Sequence, residues 1–245
     1  MESWQKEGAG TGMLLLGIDT CGSTGSVALG RQAGGDLEIV GEIALEGRSY
    51  SSTLITAISD LLKSAEVGLK DLGAIVAVNG PGSFTGVRVG LSAVKGMAEV
   101  SRIPVVVVSR LEVLAANSGV QAAALDAHRG EVFFRIGERG FESNATEPDR
   151  ARPKEMLAGA AELKAIDPPP TQVAVCDEAA ATVLKSAWPS TELLHAVPPT
   201  AADALRLAAA RVAGREFVDL ALLDGNYLRR SDAEIFGEAT EAHRR

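Results

Sequence analysis

The sequence predicts an α/β fold of two related halves, each a mixed sheet with flanking helices. Short apolar runs of strand type alternate with longer stretches of helical periodicity, the order expected for this class. An internal echo supports two halves. An apolar run ends in aspartate at Ile18-Asp19 and again at Leu125-Asp126, and each time a short turn with glycine leads into a returning strand. The length of 245 residues allows one large domain or two smaller ones.

The first half begins as a β-meander and continues with alternating helices and strands. Alternating or continuous apolar runs predict strands over residues 13–19, 25–30, 37–45, 74–78 and 104–108. Apolar residues at steps of three and four predict helices over 50–64 and 91–100. Ser109 is a candidate cap for the next helix because Glu112 follows at the capping-box spacing.

The second half repeats this order with a less regular middle. Strands are predicted over 121–126, 131–136 and 172–176, and helices over 153–163, 178–187 and 200–213, the last ended by Gly214. We therefore divide the chain into a disordered extension (1–12), a first lobe (13–117), a second lobe (118–230) and a tail (231–245). Helix 200–213 is a candidate to pack back on the first lobe.

Composition excludes several classes of protein. The net charge is −8 with a pI near 5.0, and only 4% of residues are aromatic, which argues against an autonomous nucleic-acid-binding surface. Two cysteines without a C-x-x-C pair indicate free thiols rather than a disulfide framework. No apolar run approaches the roughly 18 residues of a membrane span. A cytoplasmic protein without membrane contact is the expectation.

Motifs for metal or nucleophilic catalysis are not found in the sequence. The three histidines form no i,i+4 pair and none stands close to a cysteine, so no metal site is predicted. A nucleophile elbow at Ser83 would need glycine two residues before and after it, where Pro81 and Thr85 stand. We predict no catalytic residue.

A glycine-rich stretch, Gly80 to Gly90, lies between a predicted strand and a predicted helix, an order that often builds an anion site. It is not a P-loop, because Val87-Arg88 follows Gly86 where that motif needs Lys-Ser/Thr. Five residues are candidates for contact with an anion or a vestigial nucleotide. Gly82 and Ser83 lie in this stretch, and Asp19, Thr20 and Asp126 lie at the two strand ends. For the two aspartates the alternative is a role inside their own turns, with Arg129 as a local partner of Asp126.

The helix that follows this stretch is apolar around most of its girth. Three stripes are predicted: Val87, Leu91, Val94 and Ala98; Gly86, Gly90, Ala93 and Met97; Val89, Ser92, Gly96 and Val100. Its charged residues fall on one narrow line: Arg88, Lys95 and Glu99. Such a helix is buried on more than one side, and the small-residue stripe would let a second backbone approach. With the broadly apolar helix 50–64 it would form a self-complementary interface; a purely intramolecular core is the alternative.

Four segments of this chain resemble one family: Leu16-Gly17-Ile18-Asp19-Thr20, Gly80 to Gly90, Asp126 to Val132, and Tyr227-Leu228-Arg229. They are similar to the TsaB (YeaZ) family of the actin/sugar-kinase/Hsp70-like superfamily, over residues 13 to about 230. The Gly80–Gly90 run is the specific part of the match. The resemblance implies two lobes of actin-like (ribonuclease H-like) topology.

The resemblance also implies a function. Family members are non-catalytic partners that dimerise with and activate the TsaD-type transferase, which threonylcarbamoylates adenosine in tRNAs reading codons that begin with A. It implies a TsaE-like ATPase as a further partner, a homodimer when the chain is alone, and only indirect contact with tRNA. No cofactor is expected on the chain itself; ATP and Mg²⁺ would enter through the partner subunits. The alternatives are an ATP-dependent small-molecule kinase of the same fold, using Asp19 and Asp126, and a glycoprotease-like peptidase.

The resemblance places the partner interface on the two helices of the first half. The residues expected there are Tyr50, Leu54, Ile58, Leu61, Gly86, Arg88, Gly90, Ala93 and Met97. Many relatives carry histidine where this chain has Tyr50, so contacts at that corner are expected to differ.

Overall fold

The computed structural model describes residues 12–137 and 154–229, which form two compact units. Unit 1 contains residues 12–79, 88–108 and 200–224, and unit 2 contains 80–87, 109–137, 154–199 and 225–229. The predicted extension, apart from residue 12, and the predicted tail lie outside the described residues.

Ten strands and six α-helices make up the described part of the chain. The strands are β1 (Met13–Asp19), β2 (Thr24–Ala33), β3 (Asp36–Glu46), β4 (Leu72–Val78), β5 (Val105–Val108), β6 (Ala122–Asp126), β7 (Glu131–Ile136), β8 (Lys154–Gly159), β9 (Gln172–Val175) and β10 (Glu192–His195). The helices are α1 (Tyr50–Ser64), α2 (Phe84–Ser101), α3 (Arg110–Asn117), α4 (Ala160–Lys164), α5 (Glu178–Ala187) and α6 (Ala201–Ala213).

The sheet of unit 1 has the order β3-β2-β1-β4-β5. β1 and β3 are antiparallel to β2, whereas β4 is parallel to β1 and to β5. Helix α6 covers one face: a Cβ at Gly17 would stand 2.7 Å from the carbonyl oxygen of Ala201. Gly41, which pairs with Leu29 on the other face, lies against Leu61 of α1. The two glycines therefore admit helices closely on opposite sides of the sheet.

The sheet of unit 2 has the order β10-β9-β6-β7-β8, with the same strand directions. Each strand has a counterpart in unit 1, so the predicted internal repeat is confirmed at the level of topology. One face packs against α4 and α5, where the rings of Phe134 and Trp188 meet edge to face at 5.5 Å. A second cluster of buried apolar residues in this unit contains Leu111 and Leu114 of α3.

Most predicted elements of the described chain are confirmed, several to the residue. The helix predicted over 50–64 is α1, and those over 178–187 and 200–213 are α5 and α6. The side chain of Ser109 caps α3 by accepting the N–H of Leu111, and Thr200 with Asp203 forms a capping box for α6. Side-chain caps therefore mark the starts of α3 and α6.

The helix predicted over 153–163 is wrong. Residues Lys154–Gly159 form strand β8, which pairs antiparallel with β7, and only Ala160–Lys164 are helical; Pro153 lies outside the described residues. Pairing with the edge of β7 outweighs the helical propensity of this alanine-containing segment. Strand β10 was also missed, because Glu192–His195 has only four residues and no buried apolar run.

Candidate partner-binding surface

The turn after β1 is held together by its own aspartate. The carboxylate of Asp19 is fully buried, and its Oδ1 accepts the N–H of Cys21 at 2.8 Å. The thiol of Cys21 in turn donates to the carbonyl of Val78 in β4, at 3.3 Å. Thr20 is also buried, at 1% exposure. Asp19 thus makes a hydrogen bond of the kind that the turn role predicts, and contact of Asp19 and Thr20 with an anion or nucleotide stays a prediction.

Tyr50, at the start of α1, packs inward beneath the same turn. Its side chain is 3% exposed, and its hydroxyl donates to the carbonyl of Gly22 at 3.0 Å. Gly25 faces the ring, so closely that a Cβ there would stand 2.9 Å from Cε1. The N–H of Gly47 binds the carbonyl of Ser23 at 2.9 Å. The segment leading into α1 therefore closes the turn from one side.

The equivalent turn of unit 2 is also stabilised by a hydrogen bond to its own aspartate. Oδ1 of Asp126 accepts the N–H of His128 at 2.7 Å, as Asp19 does from the residue two positions on. Oδ2 of Asp126 lies 2.8 Å from Nδ1 of His128, so His128 is a side-chain partner that sequence reasoning did not single out. His128 and Arg129 have φ of 62° and 61°. This turn is open to solvent, with the His128 side chain 86% exposed.

Residues 80–87 of the glycine-rich stretch are held by hydrogen bonds within unit 2. Oγ of Ser83 accepts the N–H of Gly86 at 3.3 Å, and its carbonyl accepts the N–H of Val87 at 2.9 Å. The carbonyl of Gly80 accepts the N–H of Arg110 at 2.7 Å. Ser83 thus serves as the cap of α2, and Gly82 is half-buried beside it. Anion binding by Gly82 and Ser83 stays a prediction.

Helix α2 begins at Phe84, seven residues before the predicted Leu91. Its predicted apolar stripe is buried throughout: Val87, Leu91, Val94 and Ala98. Gly90 is also buried, and a Cβ there would collide with the hydroxyl of Thr20. The absence of a side chain at Gly90 therefore makes room for Thr20 of the same chain.

The predicted interface residues divide into two groups. In the single chain, six are buried, with roles in packing or in the turn above: Tyr50, Leu54, Ile58, Leu61, Gly86 and Gly90. Arg88 is exposed, and Ala93 and Met97 are half-buried. The assignment of all nine residues to a partner interface stays a prediction. The three that a partner could reach on the single chain all lie on α2.

The outer surface of α2 contains two further residues that the interface prediction omitted. Within the described part of the chain, no atom approaches within 4 Å of a Cβ built at Gly96, and Val100 is 86% exposed. On α1, Ile55 is 59% exposed. Signals for all three were present in the sequence, as a glycine in mid-helix and as apolar residues off the buried stripes.

Helices α1 and α2 share one face of the unit 1 sheet. α1 connects β3 to β4 and α2 connects β4 to β5, and both connections move in the same direction along the sheet order. Crossovers between parallel strands are right-handed almost without exception, which puts the two helices on the same side. α6 covers the opposite side.

Residues 12–137 and 154–229 contain no group of three His, Cys, Asp or Glu side chains that could hold a metal ion. None of the helices described is both long and apolar enough to cross a membrane. Burial raises the pKa of the half-buried Cys176 thiol, with Arg110 opposing this effect.

Three comparisons with known proteins lead to the same group of related proteins. The model of the family "TsaD: tRNA N6-adenosine threonylcarbamoyltransferase" matches residues 39–194, more than half of the chain. The "tRNA threonylcarbamoyladenosine biosynthesis protein TsaB" of Bacillus subtilis is 38% identical over 125 residues, which are 49% of this chain and 53% of that protein. The TsaB of Escherichia coli is 33% identical over 133 residues, 52% and 56% of the two chains. The solved "YeaZ from Pseudomonas aeruginosa" superposes with a TM-score of 0.69 and 26% identity, covering 88% of this chain and 100% of that one. The chain belongs to the TsaB (YeaZ) family of the actin-like superfamily.

Membership of the TsaB family agrees with the two sheets of equal topology. The sequence matches to curated TsaB proteins are partial, since the chain spans about half the length of the curated relatives it matches. The structural match to YeaZ extends over nearly all of this chain. These matches therefore establish the family of the chain, but not its activity or its partners.

Proposed function

We propose that this protein acts in tRNA threonylcarbamoyladenosine biosynthesis as the non-catalytic subunit that dimerises with and activates a TsaD-type transferase. The outer face of α2 is its contact surface, and in the absence of that partner the same surface pairs two copies of this chain. A TsaE-type ATPase joins the complex, tRNA is contacted indirectly, and the reaction takes place in the cytoplasm.

One observation carries the proposed contact surface. Glycine in mid-helix costs about 1 kcal/mol relative to alanine, so a packing gain is expected in return. Gly90 has such a gain within the chain, because Thr20 lies against it. Gly96 has no such gain among residues 12–137 and 154–229, which leave open space around its Cβ position. We assign the close approach that would explain Gly96 to a second molecule.

The chemistry around Gly96 suits a helix of a partner protein. Ala93 and Met97 are half-buried beside it, and Val100 exposes 86% of its surface at the end of the same helix. Small residues let two helix backbones approach, while a polarizable methionine adapts to an irregular partner. Arg88, Lys95 and Glu99 are exposed and would form the polar rim.

A non-catalytic role is supported by the two strand-end aspartates. Each accepts an N–H group within its own turn, which is a structural role that needs no catalytic function. The names of the matching proteins support the pathway: TsaB is named as a biosynthesis protein, and the family model is that of the transferase. The kinase alternative is tested by calorimetric titration of the isolated protein with Mg²⁺–ATP, where tight binding would favour it.

The decisive experiment replaces Gly96 with glutamine. The added side chain has space in the single chain and improves helix propensity, so thermal stability should rise slightly. At a close helix–helix contact the same side chain must keep the two backbones apart. Affinity for the TsaD-type protein, measured by calorimetry, should then fall at least about tenfold, the order of an overpacked contact. Ala179→Gln on the exposed face of α5 is the matched control and should leave affinity unchanged.

Unchanged affinity in the Gly96→Gln variant would contradict the proposed surface. The activating role is tested separately by leaving this protein out of the reconstituted modification reaction and measuring threonylcarbamoyl-adenosine. Full product formation without it would contradict the role as an activator. Size-exclusion chromatography of the isolated chain, with and without the TsaD-type protein, follows the exchange of a homodimer for the mixed complex.

A further inference from the structure

The motif Tyr227-Leu228-Arg229 has no role in the interface proposed above, yet each of its residues makes a defined contact in unit 2. The ring of Tyr227 packs on that of Phe84, with centroids 5.0 Å apart and planes inclined by 50°. Leu228 packs against the apolar cluster that contains Leu111 and Phe133. Nη2 of Arg229 lies 2.6 Å from Oε2 of Glu131. We call residues 226–229 the clasp.

The clasp lies close to the start of α2. A Cβ at Gly80 would stand 3.1 Å from the carbonyl oxygen of Asn226, and one at Gly225 would stand 2.8 Å from Cγ1 of Val87. Together with the tilted ring contact between Phe84 and Tyr227, the clasp and Gly225 thus approach the glycine-rich stretch at three places. Side chains larger than glycine at positions 80 and 225 would separate the two segments.

The other side of the clasp is anchored to the strands of unit 2. Nδ2 of Asn226 lies 2.5 Å from Oε2 of Glu155 in β8, whose Oε1 accepts a bond from Arg135 in β7. Nη2 of Arg229 also approaches the carbonyl of His128, at 3.4 Å. The Arg135 and Glu155 side chains are largely buried, at 12% and 11% exposure, which makes their hydrogen bond worth more than an exposed pair, whereas Arg229 and Glu131 are half-buried.

We infer that Tyr227 is a positioning residue for α2, the helix that carries the proposed partner surface: through Phe84 it fixes the first turn of this helix, within unit 2. This inference rests on the proposed function, because it concerns the helix proposed to meet the TsaD-type partner. Phe84 is the first residue of α2, and the only ring contacts described in residues 12–137 and 154–229 are Phe84–Tyr227 and Phe134–Trp188. Without the Tyr227 ring, the first turn keeps the Ser83 cap and loses the packing above it.

The test compares Tyr227→Ala with Tyr227→Phe in the full chain. Amide hydrogen exchange of Gly86 and Val87, whose N–H groups bind Ser83, reports the first turn directly. Exchange should accelerate about tenfold in Tyr227→Ala, as expected when an aromatic pair and its buried area are lost. Tyr227→Phe keeps the ring and should restore slow exchange. Phe217→Ala, with the same 37% exposure of the wild-type side chain, is the matched control and should not change these two amides.

Partner affinity is measured on the same variants. Faster exchange in Tyr227→Ala, weaker binding of the TsaD-type protein and recovery of both in Tyr227→Phe support the inference. Unchanged exchange overturns it, and so does faster exchange with unchanged binding. If Gly96→Gln also binds normally, it is the proposed surface on α2 that fails. The Tyr227 variants therefore test the positioning role, and Gly96→Gln separately tests the proposed surface on α2.

Discussion

The hydroxyl of Tyr50 donates a hydrogen bond to the carbonyl of Gly22 across 3.0 Å, and both residues are buried. This contact joins the first residue of α1 to the turn between β1 and β2. The turn already uses its Asp19 carboxylate to hold Cys21, so two independent bonds fix its shape. Tyr50, expected at a partner contact from the sequence, has a role within the chain in the structure.

Replacing Tyr50 with phenylalanine should lower the free energy of unfolding by about 1 kcal/mol, the usual cost of one lost hydrogen bond with a buried carbonyl left unpaired. The ring still fills the space over Gly25, so the fold should be kept. Chemical denaturation monitored by circular dichroism measures the loss. Ser52→Ala, which removes an exposed hydroxyl from the same helix, is the control. Equal stability of Tyr50→Phe and wild type would show that the bond contributes nothing.

The two glycines of α2 should respond in opposite directions to alanine. Gly90→Ala places a methyl group against Thr20, and overpacking of this kind costs about 1–3 kcal/mol, more than the helix propensity gained. Gly96→Ala adds a methyl group in open space and should raise stability by about 0.5–1 kcal/mol. Thermal unfolding of the two variants side by side measures both effects. A stabilised Gly90→Ala variant would mean that Thr20 moves aside at little cost.

Sequence patterns could predict the fold because helix periodicity and capping are local. The spacing of Leu54, Ile58 and Leu61 is enough to place α1, and Thr200 with Asp203 is enough to start α6. Strand β8 could not be predicted in this way. Its residues become a strand only because β7 offers an edge, which is information from another part of the chain.

The candidate surface was harder to predict than the fold, for a related reason. A small-residue stripe shows that something approaches a helix, but not what approaches. For Gly90 the neighbour is Thr20 of the same chain, whereas around Gly96 the described chain leaves open space. Both glycines lie inside the helix in the sequence, and only the three-dimensional neighbourhood shows which of them contacts another part of the described chain.

The start of α6 depends on side chains from the sheet. Oγ of Ser26, on β2, accepts the N–H of Ala201 at 2.8 Å and donates to Oε1 of Glu42 at 2.8 Å. Oε1 of Glu42 also accepts the N–H of Ala202, at 3.2 Å. An anionic oxygen at this end of a helix is favoured by the helix dipole and by the free N–H groups there.

Ser26→Ala should therefore lower the free energy of unfolding by about 1–3 kcal/mol, because the buried N–H of Ala201 loses its acceptor. Glu42→Ala should cost less, and the double variant should cost less than the two losses added together, since both act on one network. A double-mutant cycle in chemical denaturation measures this coupling. Strict additivity would mean that Ser26 and Glu42 support α6 independently.

The Cys176 thiol should react slowly with alkylating reagents. Burial raises its pKa, and Asp177 adds to this while Arg110 opposes it. Because the thiolate is the reactive form, iodoacetamide should modify the folded chain more slowly at pH 8 than the unfolded chain in urea. Mass spectrometry of tryptic peptides measures both rates. Cys176→Ser isolates Cys21, which is 1% exposed and should be slower still.

The same pKa shift predicts how stability depends on pH. A thiol whose pKa is higher in the folded state than in the unfolded state favours folding while it is protonated. Its contribution is fully present below the unfolded pKa and is lost as pH rises through the folded pKa. Wild type should therefore lose more stability than Cys176→Ser when the pH is raised from 7 to above the ordinary thiol pKa of about 8.5. Parallel pH profiles for the two proteins would show that Cys176 titrates alike in both states, contrary to this prediction.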